Sequence, residues 1–202
     1  MARIETEEDL RALYGEPGER SVKKVLDRLD PHCRRFIALS PFVLISSQGA
    51  DGLGDVTPRG DHPGFVAVEN DRSLLVPDRP GNNRLDALMN ILANPSVGML
   101  FMVPGIDETL RVSGRAEIRT DPSLLARFEV AGKVPKSVLR IAVAEAYLHC
   151  AKALMRSRLW DPAARVERST LPSLGEMIKD QINWPTAETQ TEMIARFEKT
   201  LY

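Results

Sequence analysis

The chain has 202 residues, with 27 Lys plus Arg against 28 Asp plus Glu and a formal net charge of −1. That balance argues against a protein held to nucleic acid by bulk electrostatics. A hydrophobic content of 43% with 27% charged residues is ordinary globular composition and excludes a disordered or collagen-like chain. No apolar run approaches the ~20 residues that span a bilayer. The stretch MARIETEEDLRALYGEPGER lacks the apolar core of a secretory signal, and two cysteines are too few for a disulfide framework. The expectation is a single-domain cytoplasmic protein with no nucleic-acid partner and no membrane segment.

Three zones follow in chain order. Residues 1–40 read as helical. Thr6-Glu7-Glu8-Asp9 resembles a capping box ahead of Leu10, Leu13 and Tyr14. Val22, Val25, Leu26 and Leu29 have helical spacing up to Asp30-Pro31, which reads as a stop, with a short helical turn over Arg34–Leu39. Residues 41–150 are strand-rich. Phe42–Ser47 is a buried strand, and a glycine-rich loop runs from about residue 48 to 64. Phe65–Glu69 and Ser73–Pro77 form a hairpin about Asn70-Asp71-Arg72. A second polar loop covers Asp78–Arg84, followed by a helix whose apolar face is Leu85, Leu88, Met89 and Leu92 and which ends at Asn94-Pro95. Val97–Val103, Thr109–Arg119 and Val138–Tyr147 complete about six strands. Residues 151–202 return to helix: a short basic piece over Cys150–Arg158, then Ser173–Ile182 and Ala187–Leu201, the last starting near Pro185-Thr186. Strands follow one another without alternating helices, so the architecture is mainly β or α+β, an antiparallel barrel with helices at both ends.

Two loops combine glycine, proline and fixed cations: Thr57-Pro58-Arg59-Gly60-Asp61 and Asp78-Arg79-Pro80-Gly81-Asn82-Asn83-Arg84. A phosphate site needs backbone N–H groups, amide or hydroxyl donors and a guanidinium fork. Arg84 is placed at the first turn of the following helix, where free N–H groups favour an anion. The same residues also suit two solvated turns. Cys150 beside His149 suggests a nucleophile, but adjacent strand residues point to opposite faces, and a buried structural cysteine is the simpler reading, as for Cys33. His32, His62 and His149 are scattered with no zinc-like spacing, so no metal site is expected.

Four stretches together resemble the pyridoxamine 5′-phosphate oxidase-like superfamily and, within it, a subgroup of FMN-dependent proteins of undefined substrate. These are DVTPRGDHPGFV, LLVPDRPGNNRLDALMNILANPSVGMLFMVPG, ETLRVSGRAEI and YLHCAKALMRSRLW, covering about residues 40 to 160. The resemblance implies an FMN-binding split β-barrel. It implies that Thr57, Pro58 and Arg59 line the flavin and its phosphate or ribityl chain. Val76 and Pro77 lay main chain along the ring, and Asn82, Asn83 and Arg84 close on the phosphate. The vitamin-forming oxidases end that loop in Arg-Lys. This chain has Arg84-Leu85, so Arg79 or Arg59 would have to replace the lost cation. Thr109 and Arg111 fall at the ring. The resemblance also implies a homodimer whose interface completes each flavin site, with Lys152, Arg156 and Arg158 either reaching the neighbour's cofactor or substrate, or forming a solvated face. Strands apolar beyond simple alternation support burial on both faces.

The implied function is an FMN-dependent oxidoreductase acting on a small molecule, with NAD(P)H a candidate electron donor; the cofactor carries the redox chemistry. The alternative is a flavin, deazaflavin or haem binder without turnover. The shorter cation set and the different C-terminal third depart from true pyridoxamine-phosphate oxidases.

Overall fold

In the computed structural model, which describes residues 3–202, the strands form one antiparallel sheet of order β2-β1-β5-β6-β7-β4-β3. Its strands are β1 (Phe42–Gln48), β2 (Gly54–Gly60), β3 (Ala67–Asn70), β4 (Ser73–Pro77), β5 (Ser96–Val103), β6 (Ile106–Arg119) and β7 (Val138–His149). Helices α1 (Glu7–Tyr14), α2 (Glu19–Lys23) and α3 (Pro31–Leu39) precede the sheet. Helices α4 (Asp86–Ala93) and α5 (Pro122–Ala126) interrupt it, and α6 (Lys152–Ser157), α7 (Leu174–Ile182) and α8 (Gln190–Glu198) follow. The expected antiparallel sheet with flanking helices is present. No helix among the described residues is long and apolar enough to cross a membrane.

Alternation builds the core. Val43 and Ile45, Met99 and Phe101, Leu110 and Val112, and Leu139 and Ile141 all point to one side of the curved sheet. Cys33, Phe36 and Ile37 of α3 and Ile91 of α4 cover them. Each fully buried aliphatic or aromatic side chain adds about 1.5–3 kcal/mol relative to exposure. Across β4, Leu75, Val138 and Phe128 make a small second cluster beneath α5.

Several local expectations change. The region from 48 to 64 is not all loop: it contains β2, paired with β1 from Gly54 opposite Gln48 to Gly60 opposite Phe42. Gly, Asp and Pro are poor strand formers, which hid it. The strand lies at the sheet edge, where Pro58 leaves no ladder bond broken. The count is therefore seven strands. Helix α2 stops at Lys23, because Leu26 exchanges two backbone hydrogen bonds with Ala146 at 2.8 and 3.0 Å. Asp30-Pro31 starts a helix rather than stopping one: the Asp30 carboxylate accepts from the Cys33 N–H, and Pro31 occupies the first helical position. The last helix begins at Gln190 under a Thr189–Glu192 capping box, not at Pro185-Thr186. In α4 the buried pair is Ala87 and Ile91, whereas Leu85, Met89 and Leu92 are exposed. That helix is apolar on most sides, so periodicity does not select its inner face. Within the single chain, β1 and β5 bury one face fully and the other in part. The outward residues Phe42, Leu44, Leu100 and Met102 are half-buried.

A bulge sets the longest strand pair. Ser113 lies opposite Glu145, but Gly114 lies opposite Val143, so Ala144 is extra on β7. A Cβ on Gly114 would sit 2.2 Å from the Ala142 carbonyl oxygen. Neither backbone can yield without breaking this ladder. Gly114→Ala should lower unfolding stability by about 1–3 kcal/mol, as overpacking does. A chemical-denaturation curve with an unchanged midpoint would contradict this close approach.

Candidate functional site: a cation cleft beside an apolar hollow

The loop after β4 forms one wall of the main cleft. Pairing of β4 with β7 runs on one step beyond Pro77, where the Asp78 N–H donates to the Ser137 carbonyl at 3.0 Å. Arg79 then turns inward. Its Nε is 2.8 Å from Asp61 Oδ2 and its guanidinium donates to the Phe128 carbonyl at 2.8 Å. The side chains of Arg79 and Asp61 are only 15% and 3% exposed. Burial would raise the Asp61 carboxyl, but hydrogen bonds from the Tyr202 hydroxyl, the His62 N–H and Arg79 outweigh it and hold the carboxyl below its ordinary value. Beyond Arg79 the loop is contorted. The Asn82 side-chain oxygen accepts from the Arg84 N–H at 3.1 Å, and Asn83 and Leu85 have φ of 58° and 62°. For a leucine this left-handed conformation is costly and marks a backbone fixed by its surroundings. Leu85 is the N-cap of α4 and caps it with no side chain, so the first helical N–H groups open onto the cleft.

Strand β2 makes the facing wall. Its Asp55, Thr57 and Arg59 share one half-buried face. Arg59 donates to the Thr57 hydroxyl at 2.8 Å and to the Pro58 carbonyl at 3.1 Å, and sits 3.6 Å from Asp78. The third wall is the tight turn at Ala131-Gly132. Both residues have positive φ, and Val130 and Lys133 exchange backbone bonds across it. The turn presents Lys133, and Lys136 follows. The open cleft between these walls measures about 1170 Å³. Arg59, Arg79, Arg84, Lys133 and Lys136 line it, against the carboxylates Asp55, Asp78 and Asp86.

A second hollow, about 440 Å³, lies on the outward face of the sheet. Leu44, Leu100 and Val56 floor it and Ala153 and Leu154 of α6 overhang it; Thr109, Arg111, His149 and Cys150 supply its polar rim. Register explains the rim: Thr109 lies opposite His149, and Arg111 opposite Tyr147. The Arg111 and Lys24 cations each lie 5.3 Å from the centre of the Tyr147 ring. Val56 of the edge strand β2 lines both cavities, so the two adjoin at that strand.

The residues singled out in the sequence are thus distributed unevenly. Thr57, Arg59, Asn82, Asn83 and Arg84 meet in the cation cleft, and Thr109 and Arg111 meet in the hollow. Val76 and Pro77 are buried in β4 and line neither cavity. Pro58, also outside both linings, is exposed on the far face of β2. Arg84 precedes the α4 cap instead of sitting in its first turn, and its Nε pairs with Asp86 at 2.8 Å. Cys150 is exposed rather than buried; the strand ends at His149, so the alternation rule no longer separates the two, and both face the hollow. Lys152 and Arg156 are exposed on α6, and among the described residues neither makes an ion pair. Arg158 lies past the helix end and pairs with Asp161 at 3.0 Å. Arg79, one of the two proposed substitutes for the lost cation, is committed to Asp61. Lys133 and Lys136, not singled out in the sequence, supply the extra charge. Only the fold brings their Gly/Pro loop to the cleft.

Asp78 competes for Arg59. Burial raises its carboxyl above the ordinary value, against the opposing pull of Arg59 and Lys136. It therefore takes up a proton at higher pH than a free aspartate. Its own contribution to stability falls as pH rises through that raised value. Protonation frees Arg59 for an anion. Sulfate, whose charge is constant over this range, should bind roughly tenfold more tightly once pH drops below the Asp78 titration, the worth of one charge-assisted bond. Asp78→Asn should bind sulfate tightly at neutral pH with a flatter profile. Parallel profiles for the two proteins, measured calorimetrically, would contradict the competition.

Comparison with known proteins sets these cavities in context. HupZ of Group A Streptococcus is similar in structure at a TM-score of 0.51 and 18% identity, covering 60% of this chain and 99% of that one. A Lactobacillus delbrueckii protein named as a candidate pyridoxamine 5′-phosphate oxidase matches at 0.48 and 19% identity, over 60% and 95% of the two chains. HutZ, the haem storage protein of Vibrio cholerae, matches at 0.44 and 15%, over 60% and 94%. At these identities the likeness to HupZ speaks for the fold alone. No curated protein matches the chain. The sequence profile of the pyridoxamine 5′-phosphate oxidase family matches residues 29–150, which span β1 to β7 and both cavities apart from the contributions of α6 and the last residues. The chain belongs to the pyridoxamine 5′-phosphate oxidase family.

Proposed function

We propose that the chain is an FMN-dependent oxidoreductase acting on a small molecule. The observation that carries this reading is the adjacency of two unlike cavities: a cleft rich in cations and free helix N–H groups, and an apolar hollow with a polar rim, adjoining at one edge strand. A flavin nucleotide has the same two characters, a phosphate and a flat, largely apolar ring. The cation cleft, about 1170 Å³, is ample for a nucleotide, since typical small-molecule sites are ~300–1,000 Å³. The donor set fits phosphate: Arg59 held by Thr57, Arg84 beside the α4 N-terminus, the Asn82 and Asn83 amides, and Lys133 and Lys136 in place of the family's second loop cation. When bound, FMN would supply the electron-transfer chemistry.

In this reading the chain's own residues bind and orient. Arg59 and Arg84 exchange Asp78 and Asp86 for the phosphate. Thr109 and Arg111 border the ring space, with Arg111 the cation nearest the apolar floor. The outward apolar surface of Phe42, Leu44, Leu100 and Met102 supports a two-fold homodimer that covers the hollow and excludes water from it. Lys152 and Arg156 on the overhanging α6 would then face the neighbouring copy's site. Arg158 is held by Asp161 and is assigned a supporting place at the end of that helix.

The purified protein should show flavin absorbance between ~300 and 550 nm, with the chromophore released as FMN. It should bleach under NADPH and recover in air. A yellow protein inert to reductants would instead indicate a carrier without turnover. Arg59→Ala and Arg84→Ala should each weaken FMN binding by roughly tenfold to over a hundredfold, the equivalent of ~1.5–3 kcal/mol. Unaltered affinity in both variants would remove these residues from the site.

A further inference from the structure

The chain beyond α8 returns to the cation cleft. The Thr200 hydroxyl hydrogen-bonds to the Arg196 carbonyl at 3.2 Å and closes the helix, and the backbone then carries Tyr202 inward. Three contacts fix that residue. Its hydroxyl donates to Asp61 Oδ1 at 2.7 Å, and its carbonyl accepts from Lys133 Nζ at 2.7 Å. Its ring centre lies 5.2 Å from the Arg79 guanidinium. The partners come from three different segments: the connection after β2, the loop after β4 and the Ala131-Gly132 turn. Residues that follow a helix without joining another element are ordinarily held loosely. Here one side chain is tied to a nearly buried ion pair.

Thr200 and Tyr202 both line the cavity, which measures about 1170 Å³ with them in place. The segment is therefore a wall and not a plug. It lies outside residues 29–150, the span of the family profile. Lys133 joins the two functions. An ammonium has three protons; the Tyr202 carbonyl takes one, and the others are available to an anion in the cleft.

We propose that residues 200–202 form a strap that closes the cation cleft over a phosphate-bearing ligand, with Tyr202 as its latch on Asp61, Arg79 and Lys133. The proposal deepens the reading of the cleft as a flavin-phosphate site and rests on it. The ligand's anion draws Lys133 inward, Lys133 holds the strap's backbone oxygen, and the Tyr202 hydroxyl secures the strap on Asp61. Escape of the ligand then requires the latch to break, so Tyr202 acts on the rate of release.

Release of FMN into a trapping excess of competing flavin-binding protein, followed by recovery of flavin fluorescence, tests this. Tyr202→Ala should release FMN roughly tenfold faster than the parent, the worth of the lost charge-assisted bond. Tyr202→Phe keeps the ring beside Arg79 without the hydroxyl and should fall between the two. Trypsin cleavage after Lys199, read by mass, should be slowed by FMN in the parent and not in Tyr202→Ala. If FMN binds and leaves all three proteins at one rate, the strap is refuted and the flavin reading stands. If the parent takes up no FMN, the flavin reading fails, and inorganic pyrophosphate becomes the probe. Slower cleavage after Lys199 with pyrophosphate in the parent alone supports the strap; no change in cleavage overturns it.

Discussion

The ion pair between Arg79 and Asp61 organises everything around the cleft. It ties the loop after β4 to the connection leaving β2, two segments 18 residues apart in sequence. Both side chains are well covered, so solvent and salt screen the pair little. Losing one partner would leave a covered charge without compensation, a cost of about 3–5 kcal/mol for a buried pair. Two of its donors are engaged: Nε serves Asp61, another nitrogen serves the Phe128 carbonyl, and its face meets the Tyr202 ring. One arginine thus fixes the loop, the second small core beneath α5 and the strap. In the proposed site, ligand binding would fall mainly to cations with weaker attachments, Arg59, Arg84, Lys133 and Lys136. Such cations can exchange a carboxylate for a phosphate at little cost.

The loop that Arg79 anchors has few conformations left to it. Asn83 and Leu85 are driven to positive φ, and the strain is localised where the α4 N–H groups face the cleft. Lys133 and Lys136 bring two further cations to the cleft from an element some fifty positions along the chain from Leu85. Asp78 pairs with Arg59 at 3.6 Å and Asp86 with Arg84 at 2.8 Å, the latter pair largely exposed to solvent.

How much of this was legible in the sequence follows from which interactions are local. Strands such as Phe42–Gln48 and Ser96–Val103 announce themselves by apolar runs between turn residues. The Asn94-Pro95 stop and the amphipathic run from Ser173 to Ile182 are likewise local chemistry. Strand β2 was illegible because its pairing with β1, and not its composition, makes it a strand. The buried face of α4 was illegible because Leu, Met, Ile and Ala occupy most of its circumference. Of the site, Arg59, Asn82 and Arg84 were readable from loop composition and resemblance. The commitment of Arg79 to Asp61, and the arrival of Lys133, Lys136 and Tyr202, depend on contacts between residues far apart in the chain. No spacing rule reaches those.

In the proposed site the cleft holds its ligand by a phosphate group. Riboflavin and FMN share the same ring and differ in that group alone, so their dissociation constants for the parent protein, measured side by side by fluorescence titration, isolate its contribution. FMN should bind at least a hundredfold more tightly, since two charge-assisted contacts of ~1.5–3 kcal/mol each are lost with riboflavin. Equal affinities for the two flavins would contradict it.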